Sequence, residues 1–321
     1  MRVVRGSAML DRPPRRAVLT IGNFDGIHIG HRAILRTVTD RAHALDGEAV
    51  VYTFDPHPRK VLLGDAAPRL LTTTEQKLEL LEAAQIELVV LEPFDLEFAR
   101  TSPEQFVREC IDRRLAPREV YVGYDFHFGH DREGSMRTLT ELGPRLGFAV
   151  TIVPEVTIEG RDVSSTRIRE LLAAGAVEEA QLLLGRPHGV RGRVAYGDQR
   201  GRTLGFPTAN LIPETEVLPC PGVYVGRVRL LDEPAAGRDG ASRGTAFGAV
   251  TNVGRRPTFG PGEAVLAESH LLDFRGDLYG RRLEVSFEAR LREEQRFAGP
   301  EPLREQITRD VIQARRWLDG C

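Results

Sequence analysis

The first half of the chain alternates short apolar runs with helical patterns, and this alternation restricts the fold more than any other feature. Ala17–Ile21 reads as a buried strand, followed by a glycine-bearing turn and a helix from about Gly30 to Ala44. Ala49–Phe54 is a second strand. Thr72-Thr73-Thr74-Glu75-Gln76 carries a capping-box signal, in which a Thr hydroxyl accepts a backbone N–H while Glu or Gln reaches back; a helix to about Gln85 is expected. A strand Ile86–Leu91, a helix starting at Ser102-Pro103 and ending near Leu115, and strands Glu119–Gly123 and Ala149–Val153 complete the set. Repeated β-α-β units predict a parallel sheet covered by helices on both faces. Ligands of such sheets lie beyond the carboxyl ends of the strands, where the unusual motifs of this half all fall.

From about Val190 the pattern changes. Short β-rich pieces broken by Gly and Pro (Gly192–Tyr196, Gly222–Leu231, Thr245–Asn252, Leu266–Phe274, Leu283–Leu291) predict a small antiparallel barrel. Glu233–Gly244 reads as a loop. Leu303, Ile307, Val311, Ala314 and Leu318 form one apolar stripe, so the chain closes on a helix. A short helix Val177–Leu184 precedes the change, which puts the domain boundary at 186/187: residues 1–186 and 187–321. With 321 residues, two domains fit the usual size of about 150 each.

Composition excludes more than it assigns. The 44 Lys plus Arg and 46 Asp plus Glu nearly cancel, without the basic excess of a nucleic-acid protein. Cys110, Cys220 and Cys321 are far apart and contain no CxxC pair, so neither a disulfide framework nor a thiolate zinc site is expected, and a cytoplasmic setting fits. No apolar run of about 18 residues predicts a membrane span, and the N-terminus has no signal-peptide pattern. A homo-oligomer is compatible with the sequence.

Gly22-Asn23-Phe24-Asp25-Gly26-Ile27-His28-Ile29-Gly30-His31 leaves a strand and opens a helix. Glycines admit close approach of a ligand, and a helix N-terminus offers N–H groups to an anion. His28 and His31, three apart, share a face and can donate to phosphate oxygens. Ordinary helix-start histidines, or metal ligands with His57 as a third, are the alternatives. Val163-Ser164-Ser165-Thr166-Arg167 is a second helix start, suited to phosphates or to plain capping. In the second half, Gly201-Arg202-Thr203-Leu204-Gly205-Phe206 leads into Pro207-Thr208-Ala209-Asn210, where Thr208 and Asn210 supply hard oxygens of the kind Mg²⁺ prefers, or simply form a turn. Glu268 shares a strand face with Leu266, His270, Leu272 and Phe274; on a core face it is a candidate general base, otherwise a salt-bridged or solvated carboxylate.

The His28/His31 and Ser164–Arg167 motifs resemble the HxGH and SSTxxR signatures of nucleotidyltransferases. With Phe54-Asp55-Pro56-His57-Pro58 and Val122–Gly129, they resemble the adenylyltransferase half of prokaryotic bifunctional riboflavin kinase/FAD synthetases. Gly201–Leu211, Pro221–Tyr224, Thr251–Phe259, Glu268–Gly280 and Gln306-Ile307 with Asp310 resemble riboflavin kinase. The resemblance spans nearly the whole chain. His188–Arg191 departs from it, where a more strand-like start is expected.

The resemblance implies a Rossmann-like nucleotidyltransferase sheet followed by a small antiparallel β-barrel with a C-terminal helix. The implied substrates are riboflavin, FMN and ATP, the products FMN and FAD, and the metal Mg²⁺. For adenylyl transfer it implies Gly22, Asn23, Phe24, Asp25, His28, His31, Arg161, Ser164, Thr166 and Arg167 at ATP, and Phe54, Pro56, His57, Pro58, Asp125, Phe126 and Phe128 at the flavin. Asp25 is a candidate to reach the metal. For the kinase it implies Gly201, Arg202, Gly205, Pro207, Thr208 and Asn210 at ATP, Thr208 and Asn210 at Mg²⁺, and Glu268 as base. A class I aminoacyl-tRNA synthetase shares the HxGH type of motif, but no KMSKS-like sequence is present and the second half has no place in one. A non-catalytic flavin-binding descendant would not need the full set of catalytic residue types.

Overall fold

In the computed structural model the apolar runs of the first half become a six-stranded, all-parallel sheet. The structure describes residues 1–158, 160–196, 204–233, 242–257 and 263–320, in two units, Met1–Ser165 and Thr166–Cys321. The strands of the first unit are β1 (Arg2–Arg5), β2 (Val18–Ile21), β3 (Ala49–Asp55), β4 (Leu88–Pro93), β5 (Glu119–Gly123), β6 (His127–Phe128), β7 (Gly134–Ser135), β8 (Ala149–Val153), β9 (Thr157–Ile158) and β10 (Arg161–Asp162). The large sheet has the order β1-β4-β3-β2-β5-β8; β6 with β7, and β9 with β10, form small antiparallel pairs. The chain runs from β2 outward through β3 to β4, then crosses back to β5 and β8. The switch in direction therefore falls beside the carboxyl end of β2, where a parallel sheet opens a crevice.

Helices cover both faces. They are α1 (Ile29–Ala44), α2 (Pro58–Leu63), α3 (Thr74–Ala83), α4 (Pro103–Gln105, continued by a π-helical stretch Phe106–Arg113) and α5 (Met136–Leu146). Strand alternation separates two cores. Leu19, Ile21, Val50, Tyr52, Val90, Val120 and Val122 pack on one side with Phe106, Ile111 and Leu139. Val18, Val51, Val89 and Tyr121 pack on the other with Leu35, Val38 and Ala42 of α1 and Leu81 of α3. The expected caps are present: Thr73 and Gln76 form a reciprocal capping box on α3, and Ser102 caps α4 ahead of Pro103. Strand β1 and helices α2 and α5 were not expected from the sequence.

The second unit starts with α6 (Ser165–Ala174), all but its first residue, and α7 (Val177–Leu184). Its strands are β11 (His188–Ala195), β12 (Ala209–Pro213), β13 (Gly222–Leu230), β14 (Ala246–Pro257), β15 (Glu263–Leu271), β16 (Arg282–Phe287) and β17 (Ala289–Arg292), followed by α8 (Pro300–Asp319). The order β14-β15-β12-β11-β16-β13 is closed by pairing of β13 with β14, giving a six-stranded antiparallel barrel to which β17 adds along β13. Closure removes the exposed sheet edges. The strand expected from Gly192 starts at His188, and the expected Leu283–Leu291 strand is two strands, broken at Glu288. Most of the Glu233–Gly244 loop, residues 234–241, lies outside the described residues.

Helix α8 packs Ala314, Val311, Trp317 and Leu318 on Val223, Val225, Val250 and Ala289. Arg292 Nε and Nη2 grip the Asp310 carboxylate at 2.8–3.1 Å, and Gln306 Nε2 donates to the same group. Inside the unit, fully buried Arg191 donates to Glu284 at 2.6 Å, and Arg229 donates to the other oxygen. Burial pushes Glu284 up, yet Arg229 and Arg191 outweigh it and hold the carboxylate below its ordinary value.

Buried His188 donates its Nε2–H to Val217 O at 2.8 Å. Burial, the largest influence, pushes the imidazole from 6.5 down to about 4. The unfolded chain then takes up the proton first, so stability falls as pH drops through that window. Urea denaturation at pH 7 and pH 4.5 is expected to show a loss of about 2 kcal/mol from this residue. A His188→Gln variant, whose amide still donates but does not titrate, should lose most of that difference.

Candidate active sites

The first site is built on the turn between β2 and α1. Phe24 (φ 50), Gly26 (φ 80) and Ile27 (φ 38) all take left-handed backbone, a strained arrangement for the two non-glycine residues. Burial of Phe24 and Ile27 against Leu35, Val38 and Leu81 holds it in place. The turn is also tied down by polar contacts. Asp25 Oδ1, buried, accepts from the Leu71 and Thr72 amides at 3.0 and 3.4 Å, and Gly26 N donates to Thr72 Oγ1. Thr53 Oγ1 donates to Asn23 O, and Ser165 Oγ donates to Asp25 O at 2.9 Å.

This turn delivers the two histidines. His28 caps α1, its Nδ1 accepting from His31 N at 3.3 Å, which puts the neutral ring's proton on Nε2. The two rings stack 3.7 Å apart, and Phe24 lies 5.1 Å from His31. His31 Nδ1 is buried without a hydrogen-bond partner among the described residues. Burial first, then His28 and Lys77, hold His31 well below its ordinary value, so the His31 ring is neutral.

Beside it, at the carboxyl ends of β3, β4 and β5, runs an aromatic cluster. Phe54 contacts Phe94 and Phe98, Phe98 contacts Phe106, Phe106 contacts Phe128, and Phe126 stacks on Phe128 at 5.3 Å. Phe54, Phe126 and Phe128 were read from the sequence; Phe94, Phe98 and Phe106 were not. Pro56, after a cis Asp55–Pro56 bond, is exposed, and Pro58 opens α2. His57 is buried and caps α2 through Nδ1. Among the described residues no group of three His, Cys, Asp or Glu side chains could hold a metal. Asp125 is exposed close to Gly123, and Arg161 lies on β10, also exposed. Gly22 and Ser164 are half-buried, and Asn23 is exposed. Thr166 and Arg167 lie on α6 in the second unit, where Arg167 pairs with Glu170.

The second site is a row across three barrel strands. Register places Asn210 of β12 opposite Glu268 of β15, and Glu268 opposite Asn252 of β14. Paired residues share a face, so the three line up side by side. The opposite face of β15 carries the buried Ala267, Ser269 and Leu271, so Glu268 sits half-buried on the outer face, and the core-face placement that the alternation argument for a general base requires is not met. Asn210 is buried, and its Oδ1 has no hydrogen-bond partner among the described residues. The unpartnered amide oxygen of Asn210 is a hard donor of the kind Mg²⁺ takes, so this residue fits the metal. The preceding turn is anchored by His270, whose Nδ1 donates to Pro207 O at 2.8 Å while its ring meets Phe206 edge-on. Thr208 is half-buried, and Gly205 has φ 88. Gly201 and Arg202 lie outside the described residues.

Comparison with known proteins decides the family. An FAD synthetase model matches residues 10–167 and a riboflavin kinase model matches residues 184–318. Proteins named bifunctional riboflavin kinase/FMN adenylyltransferase align end to end: 35% identity with that of Haemophilus influenzae (100% of both chains), and 38% with that of Escherichia coli K12 (99% of this chain, 98% of that one). The chain belongs to the bifunctional riboflavin kinase/FMN adenylyltransferases. A solved Streptococcus pneumoniae structure, titled a macrolide-efflux protein, superposes at TM-score 0.87 with 29% identity, covering 99% of this chain and 100% of that one.

Membership in the riboflavin kinase/FMN adenylyltransferases bears out the expected fold and the expectation of a two-activity transferase of flavin-cofactor biosynthesis. No helix among the described residues is long and apolar enough to cross a membrane. Besides Phe94, Phe98 and Phe106, the sequence reading gave no site role to Lys77, Asn252 or His270. Lys77 carried a usable signal, since it precedes buried Leu81 by one turn on α3 and so lies on the apolar stripe.

Asp25→Ala leaves two amides without their acceptor. It is expected to destabilise the chain by about 3 kcal/mol in urea titrations followed by circular dichroism. Asp25→Asn, which keeps an acceptor oxygen, should recover most of that loss.

Proposed function

We propose that residues 187–321 phosphorylate riboflavin to FMN and that residues 1–186 transfer the adenylyl group of ATP to FMN, giving FAD and pyrophosphate. What supports this reading is that each half gathers the residue types its own reaction needs. In the kinase step Glu268 takes the proton of the ribityl 5′-hydroxyl, whose oxygen attacks the γ-phosphorus of ATP and releases ADP. Thr208 and Asn210 would hold Mg²⁺, which when bound neutralises phosphate charge. Gly201, Arg202, Gly205 and Pro207 would bind ATP.

In adenylyl transfer the FMN phosphate attacks the α-phosphorus of ATP, and pyrophosphate leaves. The nucleophile is already anionic, so positioning and charge neutralisation carry the step. His28 and His31 donate to the phosphates, the Ser164 and Thr166 hydroxyls add further donors, and Arg161 and Arg167 neutralise charge. Phe54, Phe126 and Phe128 offer the isoalloxazine an aromatic surface, with Pro56, His57, Pro58 and Asp125 around it. A cytoplasmic location suits the free thiols Cys110 and Cys220.

Purified protein supplied with riboflavin, ATP and Mg²⁺ should form FMN and then FAD, resolved by chromatography; absence of both sinks the reading. Glu268→Ala is expected to lower FMN formation by about 10²–10⁴-fold while leaving conversion of added FMN to FAD intact. His28→Ala is expected to do the reverse, cutting FAD formation by about 10²–10³-fold so that FMN accumulates. Loss of both activities in either folded variant would contradict separate sites.

A further inference from the structure

Lys77 is the one lysine in the buried polar set, 6% exposed. Its side chain forms no hydrogen bond and no ion pair within 4 Å among the described residues. A buried ammonium without a partner is costly and calls for an anion.

Its placement says which anion. Helix α3 is tied at its start to both halves of the first site. The Leu71 and Thr72 amides, just ahead of its cap, donate to Asp25, and Thr74 Oγ1 donates to Asp55 Oδ1 at 3.1 Å. Lys77 lies one turn further on, its N–H bonded to Thr73 O. Side chains on a helix lean toward its N-terminus, which aims Lys77 back at these ties. Leu81, one turn beyond on the same face, packs against Phe24 and Ile27 of the histidine-bearing turn. The charges agree with this placement. Burial pushes the ammonium below its ordinary value against the pull of Asp25 and Asp55, and Lys77 in turn depresses His31. Asp25 belongs to the turn that carries the histidines, and Asp55 to the strand end that carries Phe54. Asp55 is already met by Arg5 at 3.5 Å, and the carboxylate of Asp25, buried in the turn, repels an incoming phosphate unless a cation stands beside it.

The geometry points to Lys77 as a further catalytic residue of adenylyl transfer, binding phosphate oxygen where the FMN phosphate meets the α-phosphate of ATP. The inference rests on the adenylyl-transfer reading above. As the FMN oxygen bonds to the α-phosphorus and the bond to pyrophosphate breaks, negative charge concentrates beside the ammonium. Lys77 keeps its proton throughout.

The test compares Lys77→Met, which keeps the aliphatic stem, with Lys77→Arg, which keeps the charge. FAD formation from FMN and ATP, FMN formation from riboflavin, and thermal melting are measured on the full chain. Lys77→Met should cut kcat/KM for FAD formation by about a hundredfold, leave FMN formation unchanged, and melt no lower than wild type because an unpaired buried charge is gone. Lys77→Arg should recover a substantial part of the lost rate. Normal FAD formation by Lys77→Met would overturn the inference while leaving the adenylyltransferase reading intact. So would a lower melting temperature with equal activity losses in both variants, the mark of a structural role. A wild-type chain that makes FMN but no FAD would overturn both.

Discussion

The first unit depends on one buried carboxylate. Asp25 Oδ1 takes the amides that precede α3, while the Asp25 carbonyl takes the Ser165 hydroxyl at the start of α6. A parallel sheet sends every β-to-α connection to the same edge, so segments distant in sequence crowd there with unsatisfied backbone donors. A carboxylate can accept several N–H groups at once, and in a setting shielded from water each such bond is stronger than a neutral one. Asp25 turns that crowding into a joint. The left-handed residues of the turn, unfavourable in isolation, are held by it and by the burial of Phe24 and Ile27. This gives Asp25 a structural part in the site. The sequence offered it as a candidate for a metal, whereas the observed partners of Oδ1 are backbone amides.

The second unit solves a different problem. Closing β13 onto β14 fixes the register of all six strands, and antiparallel register sets Asn210, Glu268 and Asn252 in one row without any loop having to place them. Rigid strands position side chains more tightly than loops do. The row lies on the outer face, the same face on which α8 packs, and the Arg292–Asp310 clamp secures that helix. The turn leading into the row is held by His270, a residue of the same strand as Glu268. The polar groups are thus supported on two sides by elements that do no chemistry themselves.

Much of this was legible because the interior strands β2, β3, β4 and β5 are buried on both faces and read as continuous apolar runs. β1 was not, because its Arg2-Val3-Val4-Arg5 segment sits at the sheet edge, exposed and charged. Helix α5 was hidden by Gly143 and Pro144, poor helix residues; a Cβ at Gly143 would come within 2.7 Å of Val150, so close packing on β8 requires the glycine. Glu268 was ambiguous because apolar residues occupy both faces of its strand, and only the barrel decides which face is inside. Asn252 was invisible for a related reason: its place beside Glu268 depends on pairing between strands. Lys77 was overlooked because charge on a helix suggests solvent, while its spacing to Leu81 says otherwise. Spacing was the better guide there, since burial of a helix face follows from what the neighbouring residues pack against.

The two sites differ in residue type because their nucleophiles differ. An alcohol must lose a proton as it attacks, so the kinase reaction needs a base, and Glu268, the base proposed for it, is half-buried on the outer face. A phosphate monoester is already anionic, and a carboxylate facing it would only repel it. The first site accordingly presents imidazoles, that of His31 neutral, and its nearest acids are engaged: buried Asp25 by amides, and half-buried Asp55 by the Thr74 hydroxyl and Arg5. Keeping His31 neutral has its own logic. A neutral imidazole donates one directed hydrogen bond and carries no charge to be buried, so the pair can stack 3.7 Å apart without repulsion. Positive charge for two phosphates must then come from groups other than His31. A lysine at the joint of α3 supplies it without disturbing the stack.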